Sequence, residues 1–162
     1  MPRDSTSAFY EENAETYANR ARSLPKQQLD AFLAGITPGG AIVELGCGGG
    51  QDSAYMLSQG FDVTPTDGSA ELARQAEALI GRPIKVMRFQ ELDADSAFDG
   101  VWAHASLLHV PRPELPDVFA RIRRALKSAA CFTRVSRREK RKAMTASAAT
   151  TTTRPPSGCQ SF

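Results

Sequence analysis

Short apolar runs alternate with stretches of helical periodicity along most of this chain. Residues 9–34 carry Phe9, Ala14, Tyr17, Ala18, Ala21 and Leu24 near helical spacing, and Pro25 then opens a second segment with Leu29, Phe32 and Leu33. Thr37-Pro38-Gly39-Gly40 ends it, and Ala41-Ile42-Val43-Glu44-Leu45 follows as a short run of buried-strand character. The pattern then predicts a helix over 51–59 and a strand over 61–66. Ser69 serves as N-cap for a helix over 70–80 with Glu71 in its first turn. Gly81-Arg82-Pro83 breaks that helix, and strands over 84–89 and 98–103 flank the polar Asp93-Ala94-Asp95-Ser96 loop. A last helix over 115–126 shows Leu115, Val118, Phe119, Ile122 and Leu126. Strands of continuous apolar character alternating with helices predict an α/β fold, a doubly wound and mostly parallel sheet with right-handed crossovers.

Beyond Lys127 this alternation stops. Basic residues crowd 134–142, then come Thr- and Ala-rich residues and Pro155-Pro156, so no further strand or amphipathic helix is expected there. The reading is one domain over 1–127 and a basic, disordered tail over 128–162. Charge divides at the same place: 13 Lys+Arg face 17 Asp+Glu before residue 128, against 7 and 1 after it. Such a tail raises nucleic-acid binding as an alternative function.

Bulk composition narrows the classes further. With 162 residues, 41% hydrophobic and 23% charged, the chain fits one ordinary globular domain. No apolar run approaches the ~20 residues needed to span a bilayer, and residues 1–5 lack a signal-peptide core, so a cytoplasmic protein with no membrane contact is expected. Cys47, Cys131 and Cys159 form neither a disulfide framework nor a metal-ligand cluster.

Chemistry concentrates after the first strand, in Glu44-Leu45-Gly46-Cys47-Gly48-Gly49-Gly50. In an open α/β sheet a glycine-rich turn at that place faces the ligand crevice. A dinucleotide fingerprint would need glycine where Gln51 stands, and a P-loop would need Gly-Lys-Ser/Thr. Glu44 with the turn Gly46-x-Gly48-x-Gly50 instead resembles the first motif of class I S-adenosylmethionine (SAM) dependent methyltransferases. The resemblance extends in order over residues 9–127. It implies SAM as cofactor, with Glu44 fixing the loop and Gly46, Cys47, Gly48 and Gly50 admitting the methionine portion. Asp67 matches the family's ribose-binding carboxylate, a group able to accept from both hydroxyls; Asp67-Gly68 is equally a common turn dipeptide. Gln90, Glu91 and Leu92 follow the third strand where the family holds adenine, and residues 104–110 resemble the loop lining the pocket. Residues 9–17 resemble the leader helix, whose Tyr17, or Tyr10, closes over the cofactor or packs on the sheet.

Other residues have plainer readings. Trp102 reads as core, Asp52 as a first-turn residue suited to the helix dipole, and Cys47 as a small filler. His104 and His109, the two histidines, could supply a base but read more simply as structural or exposed, and neither is assigned as a catalyst. Methyl transfer is an in-line displacement in which positioning supplies much of the rate, so no base is required for the assignment. The implied acceptor is a small molecule, with nucleic acid disfavoured; a regulatory SAM-binding subunit without turnover is the alternative. The family continues past residue 127 with a glycine turn and further strands. The absence of that pattern reads as a shifted reading frame: rewritten in the adjacent frame, the chain from Ser128 can encode Gly-Gly-Leu-Leu-Tyr-Ala-Ser-Phe. A truncated, poorly stable and inactive SAM-binding fragment is the expectation on that reading.

Overall fold

A computed structural model describes residues 24–135 of the chain. The leader segment with Tyr10 and Tyr17 and the tail beyond residue 135 lie outside them. Helix α1 spans Lys26–Ala34, followed by β1 (Ala41–Leu45), α2 (Gln51–Ser58), β2 (Asp62–Asp67), α3 (Ala70–Ile80) and β3 (Lys85–Val86). A 3-10 turn at Phe89–Glu91 leads to β4 (Phe98–His104). Two more, Leu107–His109 and Arg112–Glu114, lead to α4 (Leu115–Ala125) and β5 (Leu126–Val135).

The five strands form one sheet in the order β3-β2-β1-β4-β5, every pairing parallel. Alternate residues of the central strands supply its two faces. Ile42, Val63 and Trp102 pack with Leu29, Phe32 and Leu33 of α1 and Met56 of α2. Val43, Leu45, Val101 and Ala103 pack with Val118, Ile122 and Ala125 of α4. Helices on both faces explain why these strands read as unbroken apolar runs. Local signals also hold: the Ser69 hydroxyl accepts from the Leu72 N–H at 3.3 Å, and Gly81 closes α3 in the left-handed region.

Two expectations are corrected. The strand expected over 84–89 is only Lys85–Val86, paired with Thr66 and Asp67 at the sheet edge. Its short span leaves Pro65 without a β3 partner. Because the Thr66 carbonyl faces β1, the ring nitrogen of Pro65 faces the β3 side, so the missing N–H removes no ladder bond. The second correction concerns residues after Lys127, where no strand was expected. β5 runs on to Val135, pairing Gly100 with Cys131 and His104 with Val135. Phe132, Thr133 and Val135 are good strand formers, and the open edge of β4 gives them a template. The register breaks where the pattern failed: Phe98 pairs with Leu126 but Gly100 with Cys131, so the residues between them bulge.

Candidate functional site

β1 has β2 on one side and β4 on the other, which makes its carboxyl end the point where strand order reverses and where open α/β sheets bind ligands. The Gly46–Gly50 loop leaves β1 there. Gly46 and Cys47 both donate to the Thr66 carbonyl, at 3.0 and 2.9 Å, and the Gly50 N–H closes the turn on the Cys47 carbonyl at 2.9 Å. Gly46, Gly48 and Gly50 all take positive φ. At Gly46 (φ +79°) a Cβ would lie 2.7 Å from Ser106 Cβ. At Gly50 (φ +83°) it would strike Ile80 of α3, at 2.8 Å. The loop therefore needs glycine both for its backbone angles and for packing against two neighbours. Gly46→Ala is expected to cost about 1–3 kcal/mol from strain and contact together. An unchanged urea midpoint would contradict this loop conformation.

Carboxylates pin the loop from both ends. Glu44, 3% exposed, accepts from the Ser53 hydroxyl in the first turn of α2, while Thr66 Oγ1 donates to the Glu44 carbonyl at 2.7 Å. Asp67 ends β2, 8% exposed, and accepts from the Gly48 N–H at 2.8 Å and the Ser69 N–H at 2.9 Å through separate oxygens. Burial pushes its carboxyl above the usual range, opposed by the N–H groups of Ser69, Gly48 and Gly68. A carboxylate offers about four acceptor positions, so two N–H donors leave capacity for a ligand diol.

Cys47 is buried beside Ala73, Ala76 and Ile84. Burial first, then the charges of Glu44 and Asp67, push its thiol far up, so it is a protonated filler and no nucleophile.

The residues after β3 are engaged elsewhere. Glu91 accepts from the Arg88 N–H at 2.7 Å, which holds its carboxyl below the usual range and closes the 3-10 turn. Gln90 donates to Glu114, and Leu92 is buried in the α4-side core. The nearer neighbour to the loop is Phe89, whose ring lies 3.6 Å from where a Gly46 Cβ would stand. Tyr17 lies outside the described residues.

Three groups at the site take on contacts that the sequence did not assign them. Asp52, 4% exposed, accepts from the Trp102 indole N–H at 2.9 Å, and His104 Nδ1 stands 3.6 Å from the same oxygen. Asp52 does occupy the first turn of α2, but it faces the core. Trp102 is core as expected, wholly buried against Phe32 with ring centroids 5.0 Å apart. The third group is Ser106, 5% exposed, whose hydroxyl has no hydrogen-bond partner beside Gly46. It follows Ala105, held at φ +53°. Buried polar groups are nearly always satisfied, and strained backbone clusters at functional sites, so both mark this loop for a ligand. Among the described residues no group of three or more His, Cys, Asp or Glu is placed to hold a metal, and no helix is long and apolar enough to cross a membrane.

Comparison with known proteins bears on the fold and the family. The ubiquinone biosynthesis O-methyltransferase of Xanthomonas campestris pv. campestris (strain B100) is 32% identical over 99 residues, covering 56% of this chain and 41% of that protein. The chain thus spans less than half the length of the curated relatives it matches. The crystal structure of Burkholderia thailandensis 1,6-didemethyltoxoflavin-N1-methyltransferase, with 1,6-didemethyltoxoflavin and S-adenosylhomocysteine bound, is 26% identical with a TM-score of 0.59. That match covers 78% of this chain and 57% of that one. A putative methyltransferase from Haloferax volcanii, solved in complex with the Trm112 activator, shares the fold at 24% identity and a TM-score of 0.65. It covers 82% of this chain and 60% of that chain. The methyltransferase domain profile matches residues 42–129, more than half of the sequence, and this chain belongs to that family.

Proposed function

We propose that the chain binds SAM at the β1–β4 switch point and transfers its methyl group to a small-molecule acceptor. The observation that carries this reading is the pairing of the glycine loop with Asp67, whose carboxylate reaches across from β2 to hold the Gly48 N–H. The residues fit the cofactor on two further counts. The loop turns at the end of β1 through three glycines of positive φ, and Ser106 supplies a buried hydroxyl still lacking a partner.

On this reading Gly46, Cys47, Gly48 and Gly50 offer backbone to the amino-acid portion, Glu44 fixes the loop through Ser53, and Asp67 accepts from the ribose hydroxyls. Gln90, Glu91 and Leu92 follow β3 where the family holds the adenine, and Tyr17 closes over the cofactor from the leader segment. Bound SAM supplies a sulfonium carbon that a nucleophile can attack in line. The chain's own residues contribute position, fixing two partners in one geometry, which supplies much of the barrier reduction in such reactions. A small-molecule acceptor is favoured by the resemblance to the toxoflavin-pathway enzyme, whose structure holds such a compound.

Calorimetry with S-adenosylhomocysteine (SAH) tests the reading, with an expected dissociation constant on the order of 1–100 μM, the usual span for small-molecule enzyme ligands. No binding would refute it. Binding without methyl transfer to any member of a phenol, thiol and amine panel would favour a regulatory subunit.

A further inference from the structure

Building on the proposed methyl transfer, we propose that His104 accepts the proton of a hydroxyl-bearing acceptor, with Asp52 as the positioning residue that sets its tautomer. His104 is the last residue of β4, and Glu44 pairs with Trp102 two positions earlier. The histidine therefore stands at the level where β1 gives way to the glycine loop. Its ring is held on two sides. One face stacks on Trp102, with centroids 5.7 Å apart and planes 22° apart, and Nδ1 faces Asp52 Oδ2 at 3.6 Å. That oxygen is itself fixed by the Trp102 indole N–H at 2.9 Å. Residues two apart on a strand share a face, so Trp102 and His104 meet Asp52 of α2 together.

This arrangement has a chemical consequence. A carboxylate at Nδ1 favours the Nδ1–H tautomer and leaves the lone pair on Nε2, at the opposite edge of the ring. The His104 side chain keeps 16% of its surface exposed, whereas Asp52 keeps 4%. The 3.6 Å separation is longer than a hydrogen bond, but such contacts commonly tighten only once substrate is bound.

The acceptor class follows from what a base is for. A phenolic hydroxyl, losing its proton only near pH 10, needs one at neutral pH; a thiolate or an unprotonated amine does not. In the step assigned to His104 the acceptor's O–H bond breaks as a bond forms from that hydrogen to Nε2. The electron pair left on oxygen would attack the methyl carbon as that carbon's bond to the cofactor's sulfur breaks, the leaving group being the neutral thioether, and the imidazolium afterwards returns its proton to solvent.

Because the chain has two histidines, nitrogen-15 spectra of its imidazoles contain two ring systems, and a His109→Gln variant assigns them. In the SAH-saturated wild type, neutral His104 is expected as the Nδ1–H tautomer, and in Asp52→Ala mostly as the Nε2–H tautomer usual for free histidine. An Nε2–H wild type overturns the proposal, and that spectrum decides even where Asp52→Ala fails to fold. His104→Gln is expected to keep SAH affinity within about threefold and to slow transfer to phenols by about 100-fold or more. Parallel loss of SAH affinity and rate would reduce His104 to a structural part. Wild-type transfer to thiols or amines but to no phenol would overturn the acceptor class. Absence of SAH binding is a different failure, that of the cofactor reading itself, and calorimetry shows it before either test.

Discussion

Asp67→Ala is expected to weaken SAH binding by about 100-fold or more while costing the fold less. Two hydrogen bonds from ligand hydroxyls to an ionised acceptor are each worth about 1.5–3 kcal/mol, and a tenfold change corresponds to about 1.4 kcal/mol. The stability side nearly balances. Removing the carboxylate frees the Gly48 and Ser69 N–H groups at about 1–3 kcal/mol each if they stay dry, but it also relieves a buried charge. Burial outweighs the backbone N–H groups that oppose it and holds the carboxyl above its usual range. Acidity should separate the two effects by sign. A carboxyl raised in the fold contributes stability at low pH and loses it as pH rises through the raised value, the reverse of Glu71, which Arg74 holds at about 2. Ligand hydroxyls need the ionised form. Lowering the pH through the range just above the ordinary ~3.9 of aspartate should therefore weaken SAH binding yet narrow any stability advantage of Asp67→Ala over wild type. The check is calorimetric titration with SAH and urea unfolding of both proteins at several pH values. Equal SAH affinity in wild type and Asp67→Ala would remove this residue from the site.

The glycine loop and Asp67 were legible in the sequence because their signals are local. A run of glycines directly after an apolar strand, an acidic residue at the next strand end and a serine three residues before Leu72 each act over a few residues. β3 was misjudged because its length depends on how far β2 offers an edge. β5 was missed because its strand formers Phe132, Thr133 and Val135 stand only at its end, beyond a bulge, and pairing with β4 decides its conformation. Asp52 shows the limit most clearly. Its position in the first turn of a helix suits the dipole, yet its side chain bonds an indole 50 residues away. No spacing rule reports such a contact, since it exists only once β4 lies beside β1. Ser106 is a similar case: its hydroxyl stands out only after every other buried polar atom has been given a partner.

The Asp52–Trp102 contact should also dominate stability. Trp102→Ala removes the largest fully buried side chain, a change that typically costs about 3–5 kcal/mol. It also strips a donor from a carboxylate that is 4% exposed, which adds to the cavity term. Against the 5–15 kcal/mol that holds most domains folded, such a loss leaves little margin at 37 °C. Trp102→Phe separates the two contributions. It keeps an aromatic ring against Phe32 but has no N–H for Asp52 Oδ2, so about 1.5–3 kcal/mol of its cost is assigned to the lost hydrogen bond to a charged acceptor. A double-mutant cycle with Asp52→Ala isolates that share. If the hydrogen bond carries it, Asp52→Ala costs much less in the Trp102→Phe background than in the wild type, with a coupling of about 0.5–3 kcal/mol. Trp102 is the chain's single tryptophan, so unfolding must be followed by far-ultraviolet circular dichroism. A coupling near zero would make Asp52 a bystander to the core, and the carboxylate's fixed aim at His104 would lose its anchor.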